Sequence, residues 1–265
     1  LLVIDAFDVR GATSRLPVGL FELTWNDLGI RARTDVVVSL GDMQTTEIVE
    51  TDDDGEVISS ETIESPALHT DFYTRRVGVS HPITIGLLPL LGVGDEDTPP
   101  NLNSLFFDGG RSIELDGSLS TTTVTPLIFT DDPTAYGETN YAGYVADGFS
   151  EYNIGADTPP GDLILAAAYE DPASGSRMVL LNDIDFLQNG SGFITSPSYS
   201  GSFVYPLNVH FMVRSVAWLL DREPANISLP TPGPTATPTV TPSPTPTPPP
   251  TATPEPEPAT ESNNS

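Results

Sequence analysis

The sequence of 265 residues contains no cysteine, no lysine and only three histidines. Without cysteine the chain cannot form disulfides, thiolate zinc sites or a cysteine nucleophile. His69, His81 and His210 do not have the spacing of a helical zinc motif. The sequence also has no serine-hydrolase G-x-S-x-G elbow, no Walker A loop and no G-x-G-x-x-G motif. We therefore predict no catalytic residues, no metal site and no cofactor.

Basic charge is scarce as well. The sequence has ten arginines and 37 acidic residues, and its formal net charge is −27. Such a surface repels phosphates, so nucleic acid and anionic lipid headgroups are poor partner candidates, and we predict no nucleic-acid partner. No apolar run approaches the ~20 residues of a membrane-spanning helix. Since the chain begins at Leu1 inside an apolar run, we expect an upstream part, and any membrane tether, to lie outside it.

The chain divides by composition into a folded part and a spacer. Residues 1–228 have the composition of one globular domain, whereas residues 229–265 are rich in proline and threonine. Proline fixes φ and removes a backbone donor, so this tail is predicted to be extended and without a core. At ~3.1 Å per residue it could span on the order of 100 Å. Such a reach favours a surface setting.

Short apolar runs predict the strands of the domain. Residues 1–5 form a continuous apolar run that ends in an acid, which is typical of a strand covered on both faces in a parallel sheet. The apolar runs at 163–168 and 178–181 are predicted to be buried strands. Apolar residues at helical spacing predict helices over residues 17–28 and 206–221. Strands and helices of this kind predict an α/β domain.

Two β-hairpins are expected in addition. Residues 46–50 and 57–59 flank an acidic Asp-Gly turn, Asp52-Asp53-Asp54-Gly55, which predicts a hairpin rather than a calcium loop. The runs at 163–168 and 178–181 are joined by a short Asp/Pro/Gly turn, so they should form an antiparallel pair.

The candidate site is a polar elbow, residues 182–185, that follows the apolar run at 178–181. Asn182, Asp183 and Asp185 would lie at the carboxyl end of a strand, where α/β sheets gather their ligands. Asn208, in the following helix, is included with them as a candidate ligand-binding residue. The alternative is that these side chains cap local backbone amides and fix the turn.

The elbow and the helix together resemble a known family. The matching residues are Asp183, Asp185, Phe186, Asn208, Phe211, Trp218 and Leu219, with His-Pro-Ile-Thr at 81–84 and Pro-Leu-Ile-Phe-Thr at 126–130. They are similar to the auxiliary domain of bacterial ABC-type transport systems of the gliding-motility type. The resemblance implies an α/β fold with a three-layer, mostly parallel sheet, of the flavodoxin-like or class I glutamine amidotransferase-like type, that is incomplete at its N-terminus. It also implies an extracytoplasmic, membrane- or cell-surface-associated protein whose partners are permease and ATPase subunits or other membrane proteins.

Three functions follow, of which the first is favoured. The chain is expected to be a non-enzymatic auxiliary or interaction domain of an ABC-type transport system. The first alternative is a carbohydrate- or small-ligand-binding module that uses the elbow and an aromatic loop containing Tyr136, Tyr141, Tyr144 and Tyr152. The second is a degenerate amidotransferase-like hydrolase that uses Asp183 and Asp185. The missing cysteine nucleophile argues against amidotransferase activity.

Overall fold

A computed structural model describes residues 2–3, 24–51, 57–94, 98–116, 118, 123–140, 152–195 and 203–224. All of them belong to the first of two units, Leu1–Gly233; the second unit is Pro234–Ser265. The predicted conformation of the tail lies outside the described residues. So do most of the predicted helix over residues 17–28 and the tyrosines at positions 141 and 144.

The described residues are rich in strands. The strands are β1 (Leu2–Val3), β2 (Ile30–Ala32), β3 (Val36–Thr51), β4 (Val57–His69), β5 (Asp71–Thr74), β6 (Leu105–Asp108), β7 (Ile113–Leu115), β8 (Thr123–Phe129), β9 (Tyr136–Glu138), β10 (Ile164–Asp171) and β11 (Ser176–Leu181). The helices are a π-helical turn (Thr24–Leu28), α1 (Pro82–Ile85), α2 (Pro100–Asn103) and α3 (Pro206–Leu219). Only α3 is longer than five residues among them, so the described part of the chain offers few helices to cover a sheet.

The main sheet has six strands in the order β1-β11-β10-β7-β2, with β8 also paired to β10. Among its described strands only β1 and β11 run parallel, through Leu2↔Leu180 and Val3↔Leu181. The other pairs in this sheet are antiparallel. The predicted three-layer, mostly parallel α/β fold is therefore wrong. Continuous apolar runs report burial on both faces, and burial does not determine strand direction. The connections determine it, and a turn of four residues between β10 and β11 leaves only the antiparallel arrangement.

The β10–β11 hairpin confirms the pairing predicted for its two runs. Its turn is held by Asp171, which accepts hydrogen bonds from the Ala173 N–H and the Ser174 hydroxyl at 2.9 and 2.6 Å. Gly175 has φ of 71°, a left-handed conformation that glycine adopts without steric cost. The register of β8 on β10 shifts next to Pro126, since proline has no N–H for the ladder.

The core lies between this sheet and α3. Leu207, Phe211 and Trp218 of α3 pack in one apolar cluster with Leu165 of β10 and Leu181 of β11. A second cluster, on the other side of the sheet, contains Ile30, Ala32, Ile113, Ala167 and Leu180. The sequence therefore identified correctly that these strands are buried.

The second sheet contains a long hairpin. The first three residues of β3, Val36, Val37 and Val38, pair with β9, whereas the rest of β3 pairs with β4 as far as Thr51↔Val57. This confirms the hairpin predicted at residues 46–59, although its turn, residues 52–56, lies outside the described residues.

The third sheet has two strands, β5 and β6, in antiparallel register from Asp71↔Asp108 to Thr74↔Leu105. One edge of β6 is occupied by β5. The other edge faces the polar elbow and α3, which brings the predicted site residues together.

Candidate functional site

The predicted site residues meet along the open edge of β6. Asn208 accepts a hydrogen bond from the Phe106 N–H at 2.9 Å and donates to the Phe106 carbonyl at 3.0 Å. Its amide nitrogen also donates to the Phe186 carbonyl at 3.4 Å. The side chain of Asn208 therefore pairs with β6 as the backbone of a neighbouring strand would.

Asp183 continues the same pairing two residues along β6. Its Oδ2 accepts the Asp108 N–H at 2.8 Å, and its Oδ1 accepts the Phe186 N–H at 3.1 Å. Since alternate residues of a strand present their N–H groups to the same edge, Asp183 and Asn208 close one edge together. Both side chains are fully buried.

Burial has a clear electrostatic effect on Asp183. Removal from water raises the pKa of this carboxyl to about 7, and the two backbone N–H groups oppose the rise by stabilising its charged form. The negative charges of Asp185 and Asp108 raise the pKa of Asp183 further. Its high pKa follows from a role in the core and does not require a catalytic role.

Asn182 is also buried and connects two elements of the main sheet. Its Nδ2 donates to the Ser112 carbonyl at 3.1 Å, and its backbone oxygen accepts the Arg111 N–H at 2.8 Å. Asp185, by contrast, is half-buried, and its carbonyl accepts the Gly192 N–H at 2.7 Å. The four predicted residues thus lie close together, and three of them are buried and bonded inside the protein. This arrangement favours the structural interpretation of the elbow over the ligand-binding one.

A second buried carboxylate, that of Asp35, was not among the site residues predicted from the sequence. Asp35 accepts hydrogen bonds from the Ser112 N–H and hydroxyl at 2.9 and 2.6 Å and from the Thr158 hydroxyl at 2.5 Å. It joins the start of β3 to β7 and to the loop after β9. A methyl group on Gly137 would overlap the Asp35 carboxylate, so this position requires glycine. The available signal was an acid directly before the apolar run Val36-Val37-Val38.

Beside Asp35 lies an open cleft of about 460 Å³, which we call the tryptophan cleft. It is lined on one side by Trp25, whose ring lies 4.2 Å from the Arg31 guanidinium. Glu114 accepts from Arg31 at 2.7 Å and lies 3.7 Å from Arg33. An aromatic ring beside fixed charged groups is an arrangement that can bind a small polar ligand.

The predicted aromatic loop is only partly described. Tyr136 is buried, and its ring packs at 5.5 Å against that of Tyr152, edge to face. Tyr136 is therefore a core residue and not part of an exposed aromatic surface.

The described residues offer neither a metal-binding group of side chains nor a helix suited to span a membrane. In that part of the chain, no group of three or more histidine, aspartate or glutamate residues could hold a metal ion. His81 begins α1, where its Nδ1 accepts the Ile83 N–H at 3.2 Å. No described helix is both long and apolar enough to cross a membrane.

Comparison with known proteins finds no match. No family model matches the sequence, and no curated protein or solved structure matches it significantly. The similarity to the transport-system auxiliary domain therefore stays a prediction.

Proposed function

We propose that this chain is a non-enzymatic, extracytoplasmic interaction domain that serves as an auxiliary part of an ABC-type transport system. The observation that carries the proposal is the outer part of the β3–β4 hairpin, residues 43–51 and 57–66, which we call the arm. Within the described residues, the arm pairs only with itself. Both of its outer edges therefore carry backbone groups that another strand could bind.

The end of the arm combines those open edges with exposed apolar side chains. Val57 is 62% exposed and Ile58 is 66% exposed. Most of each of these two side chains is in contact with water, so neither contributes to a core. Exposed apolar groups on an unpaired strand are typical of a protein-binding surface.

The charge of the arm restricts the partner. The arm and the turn between its two strands, residues 43–66, contain eight acidic residues and no basic residue: Glu47, Glu50, Asp52, Asp53, Asp54, Glu56, Glu61 and Glu64. Two copies of such a segment repel each other, so self-pairing is disfavoured. A basic surface on a permease or ATPase subunit, or on another membrane protein, complements it.

Site-specific photocrosslinking in the native cell tests the proposal. A photoreactive residue at Ile58 should crosslink to a subunit of an ABC transporter, identified by mass spectrometry. The matched control is Val79, which is exposed and lies outside the arm; a probe there should not form that adduct. Equal adducts from both positions would contradict a role of the arm. An Ile58-specific adduct with a protein unrelated to transport would refute the transport assignment.

The tryptophan cleft supports a second candidate function, the binding of a small polar ligand such as a carbohydrate. Titration of a glycan panel should change the fluorescence of the protein and raise its melting temperature. Trp25→Phe should remove most of the fluorescence change, whereas Trp218→Phe should keep it because Trp218 is buried against α1 and β11. If no glycan changes the fluorescence or the melting temperature, carbohydrate binding in the tryptophan cleft is ruled out.

A further inference from the structure

A second cleft lies between α1, the edge of the β10–β11 hairpin and the C-terminal end of α3. Its volume is about 700 Å³, and three arginines line it, Arg177, Arg214 and Arg222. The whole chain has ten arginines and no lysine, so three in one cleft are a notable concentration. We call it the arginine cleft.

Two of these three arginines differ from the other described arginines because their side chains have no bonding partner. Among the described residues, Arg214 and Arg222 make no ion pair and no side-chain hydrogen bond, whereas each of the other described arginines has a partner for its side chain. Arg177, in the same cleft, bonds Glu170 at 2.9 Å and Asp221 at 3.1 Å. In a chain of net charge −27, acidic partners are abundant. Two arginines without one therefore indicate groups held available for another anion.

Arg214 is also held in place. It is half-buried on α3, and its guanidinium lies against Gly86 at the end of α1, where an added methyl group would overlap it. A half-buried guanidinium without a counter-charge is costly, since part of its hydration is lost without an ionic partner. A bound anion would remove that cost.

The charges around the cleft indicate what kind of anion fits. Three acidic residues, Glu170, Asp221 and Glu223, line it together with the arginines. Arg177 pairs with the first two but offsets only one of their two charges, so the three arginines and three acids of the lining sum to a formal charge of zero. The nearby C-terminal end of α3 adds partial negative charge. This balance favours a singly charged carboxylate over a doubly charged phosphate.

The remaining wall of the cleft is apolar. Pro82, Ile85, Ala217 and Trp218 line it, and Ile85 is 53% exposed. An exposed isoleucine beside an arginine with no partner suits a ligand with an apolar body and an acidic head. We propose that the arginine cleft binds an organic monocarboxylate, with Arg214 and Arg222 on the carboxylate and Ile85 against the apolar body. This inference is independent of the arm and of the proposed transport function.

Calorimetric titration of the full chain with octanoate tests the proposal. Octanoate should bind, and acetate, octan-1-ol and octyl phosphate should each bind at least several-fold more weakly. Raising the salt from 50 to 500 mM should weaken octanoate binding, because part of the attraction is Coulombic. Equal binding of octan-1-ol, or tighter binding of octyl phosphate, would overturn the proposal, as would no binding of octanoate.

Substitutions locate the site. Arg214→Gln should weaken octanoate binding about tenfold or more, as expected for loss of a charge-assisted hydrogen bond. Arg222→Gln should weaken it about two- to threefold because that side chain is exposed. Gly86→Ala should weaken binding while keeping every charge, since it displaces the Arg214 guanidinium.

The matched control is Arg76→Gln, which removes an exposed arginine paired with Asp162 elsewhere on the surface. It should leave octanoate binding unchanged. Circular dichroism checks the folding of each variant, and if Arg214→Gln does not fold, Gly86→Ala and Arg222→Gln decide the question. Unchanged affinity in the folded variants would refute the assignment.

Discussion

The edge of β6 and the edges of the arm present the same physical problem with opposite outcomes. A strand edge carries N–H and C=O groups that need partners. On β6, Asn208 and Asp183 supply those partners from side chains, so the edge is closed inside the protein. On the arm, no described residue closes the outer edges, and apolar Val57 and Ile58 are exposed beside them. A closed edge contributes to the stability of the domain, whereas an open one is available to a partner.

The largest expected effect comes from Asn208→Ala. It removes three hydrogen bonds and leaves the buried N–H and carbonyl of Phe106 without their partner. We expect a loss of about 4 kcal/mol in the free energy of unfolding, measured by urea denaturation. Asn189→Ala, at an exposed position, is the control and should change stability by less than about 0.5 kcal/mol. Similar losses in both variants would show that Asn208 does not close β6.

The next effect is a dependence of stability on pH through Asp183. Its folded pKa, about 7, lies above the ordinary value of 3.8, so its contribution is fully present below about pH 4. As the pH rises from about 4 to 7, the unfolded chain releases a proton that the folded chain retains, and the folded state loses relative stability. We expect a loss of about 3 kcal/mol over this range from Asp183 alone.

Asp183→Asn isolates that contribution. The variant cannot titrate at this position, so subtracting its unfolding free energies from those of the wild type cancels the other carboxyl groups. The difference should fall between pH 4 and 7 and level off above pH 7. A difference that does not depend on pH would contradict the raised pKa.

The smallest effect on stability is expected from the arm. Ile58→Ser should change the free energy of unfolding by less than about 0.5 kcal/mol because the side chain is mostly exposed. The same change should reduce association with the partner, measured by co-purification with transporter subunits. A large loss of stability would show that the arm is packed within the domain, and the contrast with β6 would not hold.

Local features of this fold could be predicted from the sequence, whereas strand direction could not. The Asp52–Gly55 turn signal and the short turn after Asp171 specify their hairpins through neighbouring residues. The helical spacing of apolar residues predicted α3 to within two residues of its observed end. The parallel or antiparallel arrangement of the buried strands depends on long-range pairing, which their composition does not encode.

The elbow shows the same limit at the scale of a site. The sequence could indicate that Asp183 and Asn208 lie near each other, since β11 and α3 are close along the chain. Their shared partner, β6, lies 75 and 102 residues away from them, and no local pattern indicates it. Asp35 was missed for this reason too, because Thr158 is 123 residues away.

The dependence of β6 on Asn208 also has a consequence for biosynthesis. Phe106 leaves the ribosome 102 residues before the side chain that completes its hydrogen bonds. During that interval β6 has an unfinished edge, and a nascent chain with such an edge can pair with other chains. The domain can therefore complete its folding only after α3 has been synthesised, and a chain truncated before α3 is expected to aggregate.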